Sequence, residues 1–188
     1  MKRLVLVRHA PTASTRAATF PADDEGLDAD GRAAAAALAL PRGEVRSSPA
    51  ARCLQTAEAA GLDPIVDAAL AECDFGSWAG LALADLDPAE ARAWMTDPDA
   101  APHGGESLRA FAARVARWLD AQARSDGSVV VITHGGVVKA ALVHALGAPL
   151  EAFWRVDAAP LAVAELHAHD GRWTVTRLNA PAEVAAIA

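Results

Sequence analysis

The chain has 188 residues, of which 53% are hydrophobic and 22% are charged, and this balance suits one compact domain with a sizeable core. It excludes disordered and fibrous classes of protein. The formal net charge of -7, with a sequence pI near 5.3, argues against a nucleic-acid partner and against an anionic membrane, because both need a basic face.

Two cysteines, Cys53 and Cys73, are too few for a disulfide scaffold and indicate a reducing compartment. The basic residues at the start of the chain precede too short an apolar run for a secretory signal, and no later segment could span a bilayer. We therefore expect a soluble cytoplasmic protein that makes no contact with a membrane. A homodimer is left open.

The first element along the chain is a predicted strand at residues 2–7, where four consecutive β-prone apolar residues are typical of a buried parallel strand. Polarity reverses at Arg8 and His9, which would lie at the carboxyl end of that strand. Ligands bind at this end in open α/β sheets. A predicted loop at residues 11–27 is followed by a helix at 28–40, a strand at 44–47, and a helix at 50–60 with Arg52 in its first turn.

The second half of the chain continues the alternation of strands and helices. A short strand at residues 64–66 precedes a loop-like run in which Glu72 has apolar and glycine neighbours. Prolines punctuate the next stretch, which predicts a small lid insertion at about residues 81–105 within a single domain of residues 1–188. The remaining predicted elements are an amphipathic helix after Ser107, a buried strand at 128–133 that ends on His134, a helix at 137–146, and a hairpin with strands at 161–167 and 172–178.

This alternation predicts an α/β protein, namely a three-layer α/β/α sandwich with a largely parallel central sheet. The carboxyl ends of parallel strands lie on one edge of a sheet. Arg8, His9 and His134 should therefore converge there if their strands are neighbours. With Arg52 from a third element, they would form a compact cationic site sized for a phosphoryl group, because the planar guanidinium offers paired donors to phosphate oxygens.

The same residues suggest a reaction. A neutral imidazole is a good nucleophile towards phosphorus, and nearby arginines would lower the pKa of His9 and keep it neutral. The leaving alkoxide needs a proton, and Glu72 is the candidate general acid because partial burial raises the pKa of a carboxyl group. It would then deprotonate the water that hydrolyses the phosphohistidine.

Five short segments carry a resemblance to a known family. In chain order they are Arg8-His9-Ala10-Pro11-Thr12, Ser47-Ser48-Pro49-Ala50-Ala51-Arg52-Cys53-Leu54-Gln55-Thr56-Ala57, residues 70–80, Gly105-Glu106-Ser107, and Thr133-His134-Gly135-Gly136. Together they resemble the motifs of the histidine phosphatase superfamily, also called phosphoglycerate-mutase-like, over nearly the whole chain. Each motif alone is weak evidence, but their common order makes the resemblance specific.

The resemblance implies a phosphoglycerate-mutase-like fold and a phosphoric monoester hydrolase that acts on small molecules. His9 would be the phosphorylated nucleophile, and Glu72 would be the acid and then the base. Arg8, Arg52 and His134 would bind the phosphate. The resemblance implies neither a metal nor another cofactor.

The chain departs from the family pattern beside the nucleophile. Ala10 replaces the usual glycine, Pro11 replaces a frequent glutamate, and Thr15 stands where an asparagine is often found. A hydroxyl at Thr15 would then replace an amide in substrate binding, and Gly135 is the other residue that the motifs place beside the substrate. These departures keep open a non-catalytic member that binds phosphorylated ligands.

The predicted lid suggests the class of substrate. Its charged residues are Asp85, Asp87, Glu90, Asp97 and Asp99 against Arg92 and His103. An acidic lid would repel polyanions, so we expect a single phosphate on a neutral, apolar or cationic leaving group. The α-ribazole-phosphate phosphatases of cobalamin synthesis fit this profile, whereas the extra elements of phosphoglycerate mutases are not evident.

Four further residues allow two interpretations each. Trp78 and Trp154 either line the mouth of the site or belong to the packing. Cys53 and Cys73 each adjoin a proposed site residue, and they have either a redox role or a structural one.

Overall fold

The computed structural model describes residues 1–22 and 24–184. The strands are β1 (Lys2–Arg8), β2 (Leu38–Ala39), β3 (Glu44–Ser47), β4 (Ile65–Val66), β5 (Gly127–Thr133), β6 (Ala162–His169), β7 (Arg172–Pro181) and β8 (Glu183–Val184). The α-helices are α1 (Ala13–Ala17), α2 (Ala29–Ala36), α3 (Ala51–Ala59), α4 (Pro88–Thr96), α5 (Leu108–Ala123) and α6 (Gly135–Ala145). Short 3-10 helices occupy Ala68–Leu70, Gly76–Trp78, Leu83–Asp85 and Leu150–Arg155.

A six-stranded sheet with the order β4-β3-β5-β1-β6-β7 forms the middle layer. The four strands from β4 to β1 are parallel, and β6 and β7 add an antiparallel edge. Helices cover both faces. The predicted three-layer sandwich with a largely parallel sheet is therefore confirmed.

The apolar runs of β1 and β5 supply both faces of the sheet, because successive side chains of a strand point to opposite sides. One face packs with α5 and α6 and contains Leu4, Leu6, Val129 and Val131. The other face packs with α3 and contains Val5, Val7, Val130 and Ile132. Burial on two faces explains why these strands have no polar alternation.

The register of β1 and β5 places the two histidine-bearing strand ends side by side. Arg8 is paired with Thr133, and the backbone N–H of His9 donates to the carbonyl of Thr133 at 2.8 Å. His134 follows directly. The predicted convergence of these strand ends is thus present.

Two elements differ from those that the sequence predicts. The helix predicted at 28–40 ends at Ala36, because the chain turns into β2, which pairs with β8 from the far end of the chain. The loop predicted at 11–27 contains α1, which is capped by the Thr12 hydroxyl accepting from the N–H of Thr15. A five-residue helix is too short to show a hydrophobic period, so pattern alone does not reveal it.

The segment predicted as a lid, residues 81–105, packs onto the body of the domain through aromatic side chains. Trp94 of α4 is buried with Trp78 and Leu86, and Phe20 packs against them. Within the described ranges, no helix is both long and apolar enough to cross a membrane.

Candidate active site

His9 lies in the turn after β1 and is only 5% exposed. Its Nδ1 is 2.8 Å from the carbonyl oxygen of Ala10. Since a carbonyl only accepts hydrogen bonds, Nδ1 carries the hydrogen and Nε2 keeps its lone pair. The pKa of His9 is lowered to about 3, chiefly by burial and also by the charges of Arg52 and Arg8, while the hydrogen bond to Ala10 opposes the shift. The ring is therefore neutral at physiological pH, with the lone pair of Nε2 free.

Ala10, which departs from the family pattern, fits its position. Its methyl group packs in a small buried cluster with Leu27 and Ala35. Its N–H donates to the hydroxyl of Thr56 at 3.0 Å, and its carbonyl holds the His9 ring. The backbone at this position thus orients the His9 ring, and the extra methyl group packs against buried apolar side chains.

Arg8 and Arg52 are held with part of their hydrogen-bonding capacity unused. Arg8 Nη1 donates to the carbonyl of Ala158, and Arg52 Nη1 donates to that of Ala22, both at 2.7 Å. Arg52 is fully buried, and within the described residues the Nε of each arginine is buried without a hydrogen-bond partner. Buried unpaired donors are costly, so this site is suited to an anion that accepts from both.

His134 directly precedes α6 and makes no side-chain capping bond, and its ring centroid lies 5.4 Å from that of His9. Its Nδ1 accepts from Arg52 Nη2 at 3.2 Å, so Nε2 carries the hydrogen and donates to the hydroxyl of Ser48 at 2.7 Å. Burial, followed by the charge of Arg52, lowers the pKa of His134 well below its usual value. Both ring nitrogens are engaged, so direct phosphate binding by His134 requires one bond to exchange. Ser48 was not among the predicted site residues.

Glu72 lies in the loop after the first 3-10 helix and reaches the start of α6. Its Oε1 accepts from the N–H of Cys73 at 3.0 Å, and its Oε2 accepts from the N–H of Gly136 at 3.2 Å. Burial raises the pKa of Glu72, although these two hydrogen bonds and the arginines oppose the shift. A carboxyl group with a raised pKa is suited to give up a proton and take it back near neutral pH.

Arg114, on α5, holds the backbone that carries Glu72. Its guanidinium donates to the carbonyls of Ala69, Ala71 and Glu72 at 2.9, 2.9 and 3.1 Å. It also forms a bidentate pair with Glu106 at 2.9 and 2.6 Å. Arg114 was not predicted as a site residue, because the sequence does not distinguish it from the solvent-exposed charged residues of the same helix.

We expect Arg114→Gln to lower kcat by about tenfold and to destabilise the fold by about 1.5–3 kcal/mol, since three carbonyls lose a charged donor. Steady-state kinetics and thermal unfolding measure both effects. Arg117→Gln, at an exposed position of the same helix, is the matched control and should behave like the wild type. Unchanged kcat in Arg114→Gln would show that this network does not position the acid.

Gly136 leaves the space that the Glu72 carboxylate occupies, because a Cβ there would lie 2.1 Å from Oε1. We expect Gly136→Ala to displace the carboxylate and lower kcat by about 10- to 100-fold. In the Glu72→Gln background, Gly136→Ala should lower kcat little further, because the carboxyl group that it displaces is already absent. A double-mutant cycle in kcat measures this coupling, and equal effects in both backgrounds would contradict it.

The other two predicted binding residues lie at the edge of the site. Thr15, on α1, lines the cavity described below, and its hydroxyl is 3.1 Å from that of Thr12. Gly135 is the first residue of α6, and a Cβ there would lie 3.3 Å from Arg8 Nε. The glycine therefore keeps space open beside the unpaired donor of Arg8.

A cavity of about 490 Å³ opens beside His9 and Glu72. Its lining includes Phe20, Phe75, Trp78, Trp94 and Trp154, together with Lys139. Both interpretations of Trp78 and Trp154 hold, because these side chains line the cavity and also belong to the aromatic packing around Trp94. Lys139 was not predicted, although it is the one lysine in a helix whose neighbours are buried and apolar.

The expectation that the acidic residues of the lid face the site is corrected by the structure. Residues 81–105 contribute Leu83, Leu86, Ala91, Trp94 and Met95 to the cavity. The five predicted carboxylates are absent from the described residues that line it. Asp87 instead caps α4, and Asp99 pairs with Arg109 at 2.7 Å on the surface. Amphipathic packing turns the apolar side of this segment inward and its charges outward.

Cys53 and Cys73 are free and buried. Burial raises the pKa of Cys53 to about 12 and also raises that of Cys73. Both remain protonated thiols, which favours the structural interpretation over a redox role. Across residues 1–22 and 24–184, no group of three or more histidine, cysteine or acidic side chains is placed to hold a metal ion.

Comparison with known families agrees with this geometry. The family model of the histidine phosphatase superfamily (branch 1) matches residues 4–181. The chain belongs to this superfamily. The resemblance found in the five sequence motifs is therefore confirmed.

Histidine phosphatase relatives match at the level of both sequence and structure. A bifunctional protein of Mycobacterium tuberculosis is 35% identical over 195 residues, and the match covers 94% of this chain but 53% of that protein, so the chain spans about half of its length. Glucosyl-3-phosphoglycerate phosphatase of Mycolicibacterium vanbaalenii is 32% identical over 224 residues, which cover 98% of this chain and 97% of that enzyme. A solved mycobacterial glucosyl-3-phosphoglycerate phosphatase in complex with VO3 has a TM-score of 0.82 at 31% identity, covering 96% of this chain and 100% of that chain.

Proposed function

We propose that the protein is a phosphomonoesterase that hydrolyses small phosphate esters through a phosphohistidine on His9 and needs no metal ion. The observation that carries this proposal is the neutral His9 ring with a free Nε2, beside two arginines with unpaired donors and a carboxyl group of raised pKa. Relatives named as phosphatases support the same reaction class.

In the first step, the lone pair of His9 Nε2 forms a bond to phosphorus while the ester P–O bond breaks. Arg8 and Arg52 donate to the phosphoryl oxygens, and Glu72 gives its proton to the departing alkoxide. In the second step, the Glu72 carboxylate takes a proton from water, and the resulting hydroxide attacks phosphorus. The P–N bond breaks, its electron pair returns to Nε2, and inorganic phosphate leaves.

The cavity supports an apolar leaving group. Aromatic side chains dominate its wall, and the carboxylates of the lid, which would attract a cation, face away from it. Lys139 adds a positive charge, so a cationic leaving group is disfavoured. α-Ribazole phosphate, which carries an aromatic base, therefore remains a specific candidate. A cytoplasmic site of action is part of the proposal and is supported by the two free thiols.

The test is phosphate release from 4-nitrophenyl phosphate by the purified protein in the presence of a chelator. We expect catalytic turnover that the chelator does not reduce. A phosphoglycerate mutase would instead interconvert phosphoglycerates with little net release of phosphate, and a non-catalytic binding protein would release none. Loss of turnover with the chelator, restored by a metal ion, would contradict the metal-free reaction.

A further inference from the structure

Lys139 is a charged residue that the proposed reaction leaves without a role. It lies on α6 between buried neighbours, and it lines the cavity that also contains His9 and Glu72. Its ammonium is 4.4 Å from the centroid of the Phe153 ring and 5.5 Å from that of Trp154. Among the described residues, no carboxylate is within ion-pair distance of this ammonium.

Burial at this position disfavours the charged form of Lys139. Burial lowers the pKa of Lys139, while the carboxylates of Glu72 and Asp157 oppose the shift and the charge of Arg8 adds to it. Asp157 is exposed, and its two oxygens accept from the N–H of Ala158 at 2.9 Å and from Asn179 at 3.1 Å. Glu72 must be protonated when it acts as the acid. Neither group therefore provides a dedicated partner for Lys139 in the complex that reacts.

The balance of charges in the reacting complex also leaves Lys139 without a partner. A phosphate monoester dianion is matched by Arg8 and Arg52, which have the unpaired buried donors. With Glu72 protonated, the exposed carboxylate of Asp157 still acts on the ammonium of Lys139, but within the described chain the ammonium has no ion-paired carboxylate and lies against the rings of Phe153 and Trp154. An anionic group on the leaving group would supply that counterpart.

The aromatic residues that line the cavity favour a planar, apolar body for the leaving group that Lys139 would bind. Phe20, Trp78, Trp94 and Trp154 line the cavity, and Trp94 packs edge-to-face against Trp154 with centroids 4.9 Å apart. Trp94 is 9% exposed, and its Nε1 is buried without a partner in the described chain. The cavity therefore offers an aromatic wall beside the ammonium of Lys139.

We propose that Lys139 determines substrate specificity by binding a carboxylate on the leaving group of the phosphate ester, whose body is planar and apolar and lies between the aromatic side chains. This inference rests on the proposed function for the identity of the phosphoryl site. It adds the chemical class of the alcohol, namely a carboxylated aromatic alcohol, and this class takes the place of α-ribazole, which has no carboxylate.

Two synthetic esters test the proposal: the phosphate of 4-(hydroxymethyl)benzoic acid and the phosphate of its methyl ester. They share the same reacting bond and aromatic ring, and they differ in one remote negative charge. The wild type should prefer the acid by roughly ten- to hundredfold in kcat/KM, as expected for a hydrogen bond to a charged group. Lys139→Met should bring the ratio close to one, and the matched variant Lys139→Arg should keep most of it.

Binding separates this proposal from the proposed function. Titration of both esters into the His9→Ala variant, followed by tryptophan fluorescence, reports the preference without turnover, and Lys139→Met in that background should abolish it. Equal affinity and equal kcat/KM for the two esters in the wild type would overturn the role of Lys139 while leaving the phosphatase intact. An affinity preference without any turnover would support Lys139 and refute the proposed reaction. A Lys139→Met variant that lowers both esters equally would show a general structural role.

Discussion

Replacing His9 with alanine should lower phosphate release by about 10⁴-fold or more, because the reaction loses the atom that forms the bond to phosphorus. The effect should appear in kcat for every substrate, since the Ala10 carbonyl leaves a free lone pair on His9 Nε2, whereas both ring nitrogens of the neighbouring His134 are engaged. Phosphate release over long incubations, with the variant freshly purified, measures the residual rate.

The His9→Ala variant should remain folded, because the ring makes one hydrogen bond and lies at the end of β1 outside the main core. Circular dichroism and thermal unfolding check this. His144→Ala is the matched control: this histidine lies at the last turn of α6, pairs with Asp120 on the surface, and should retain full activity. A His9→Ala variant with a tenth or more of the wild-type rate would show that the nucleophile is another group.

Glu72→Gln should lower kcat by about 10²- to 10⁴-fold for alkyl phosphates, whose alkoxides must be protonated as they leave. The loss in the first step should be smaller for 4-nitrophenyl phosphate, because its leaving group departs without a proton. Burst kinetics separate the two steps. An equal loss for both leaving groups would indicate that Glu72 acts on the site by charge alone.

The pH dependence follows from the same two groups. The pKa of His9 is lowered to about 3, so the nucleophile stays neutral and His9 causes no loss of rate until the pH falls towards that value. The pKa of Glu72 is raised, so the acid form persists above the usual range of a glutamate, and the rate falls as the pH rises through the raised value. The glutamine variant does not titrate and should lack this alkaline limb in kcat/KM. A limb that persists in Glu72→Gln would assign it to another group.

The sequence predicts the fold well where the pattern is local. The apolar runs of β1 and β5 are typical of central strands, which are buried on both faces of a sheet. The reversal of polarity after each run locates the site at the strand ends. β2 and α1 are different. β2 exists only through pairing with a segment near residue 184. The first turn of α1 is capped by the Thr12 hydroxyl and by the carboxylate of Glu25, which accepts from the N–H of Ser14.

The same distinction applies to the site. The residues proposed to carry the chemistry are marked by residue type and position, so the sequence alone indicates His9, Glu72 and the two arginines. Three other residues were missed because their contacts are distant in sequence. Ser48 contacts His134, which is 86 residues away, and Arg114 contacts Ala71, which is 43 residues away. Lys139 contacts Trp154, which is 15 residues away. The outward turn of the lid carboxylates is likewise a property of packing, which composition does not reveal.

The most direct test of the phosphohistidine is to trap it. The wild type is mixed with a radiolabelled phosphate ester and quenched in alkali during turnover, and the labelled peptide is identified by mass spectrometry. We expect label on His9 that is stable in alkali, is lost in acid, and disappears when unlabelled substrate is added before the quench. Rapid turnover with no labelled protein, or with label on any other residue, would contradict the central role of His9.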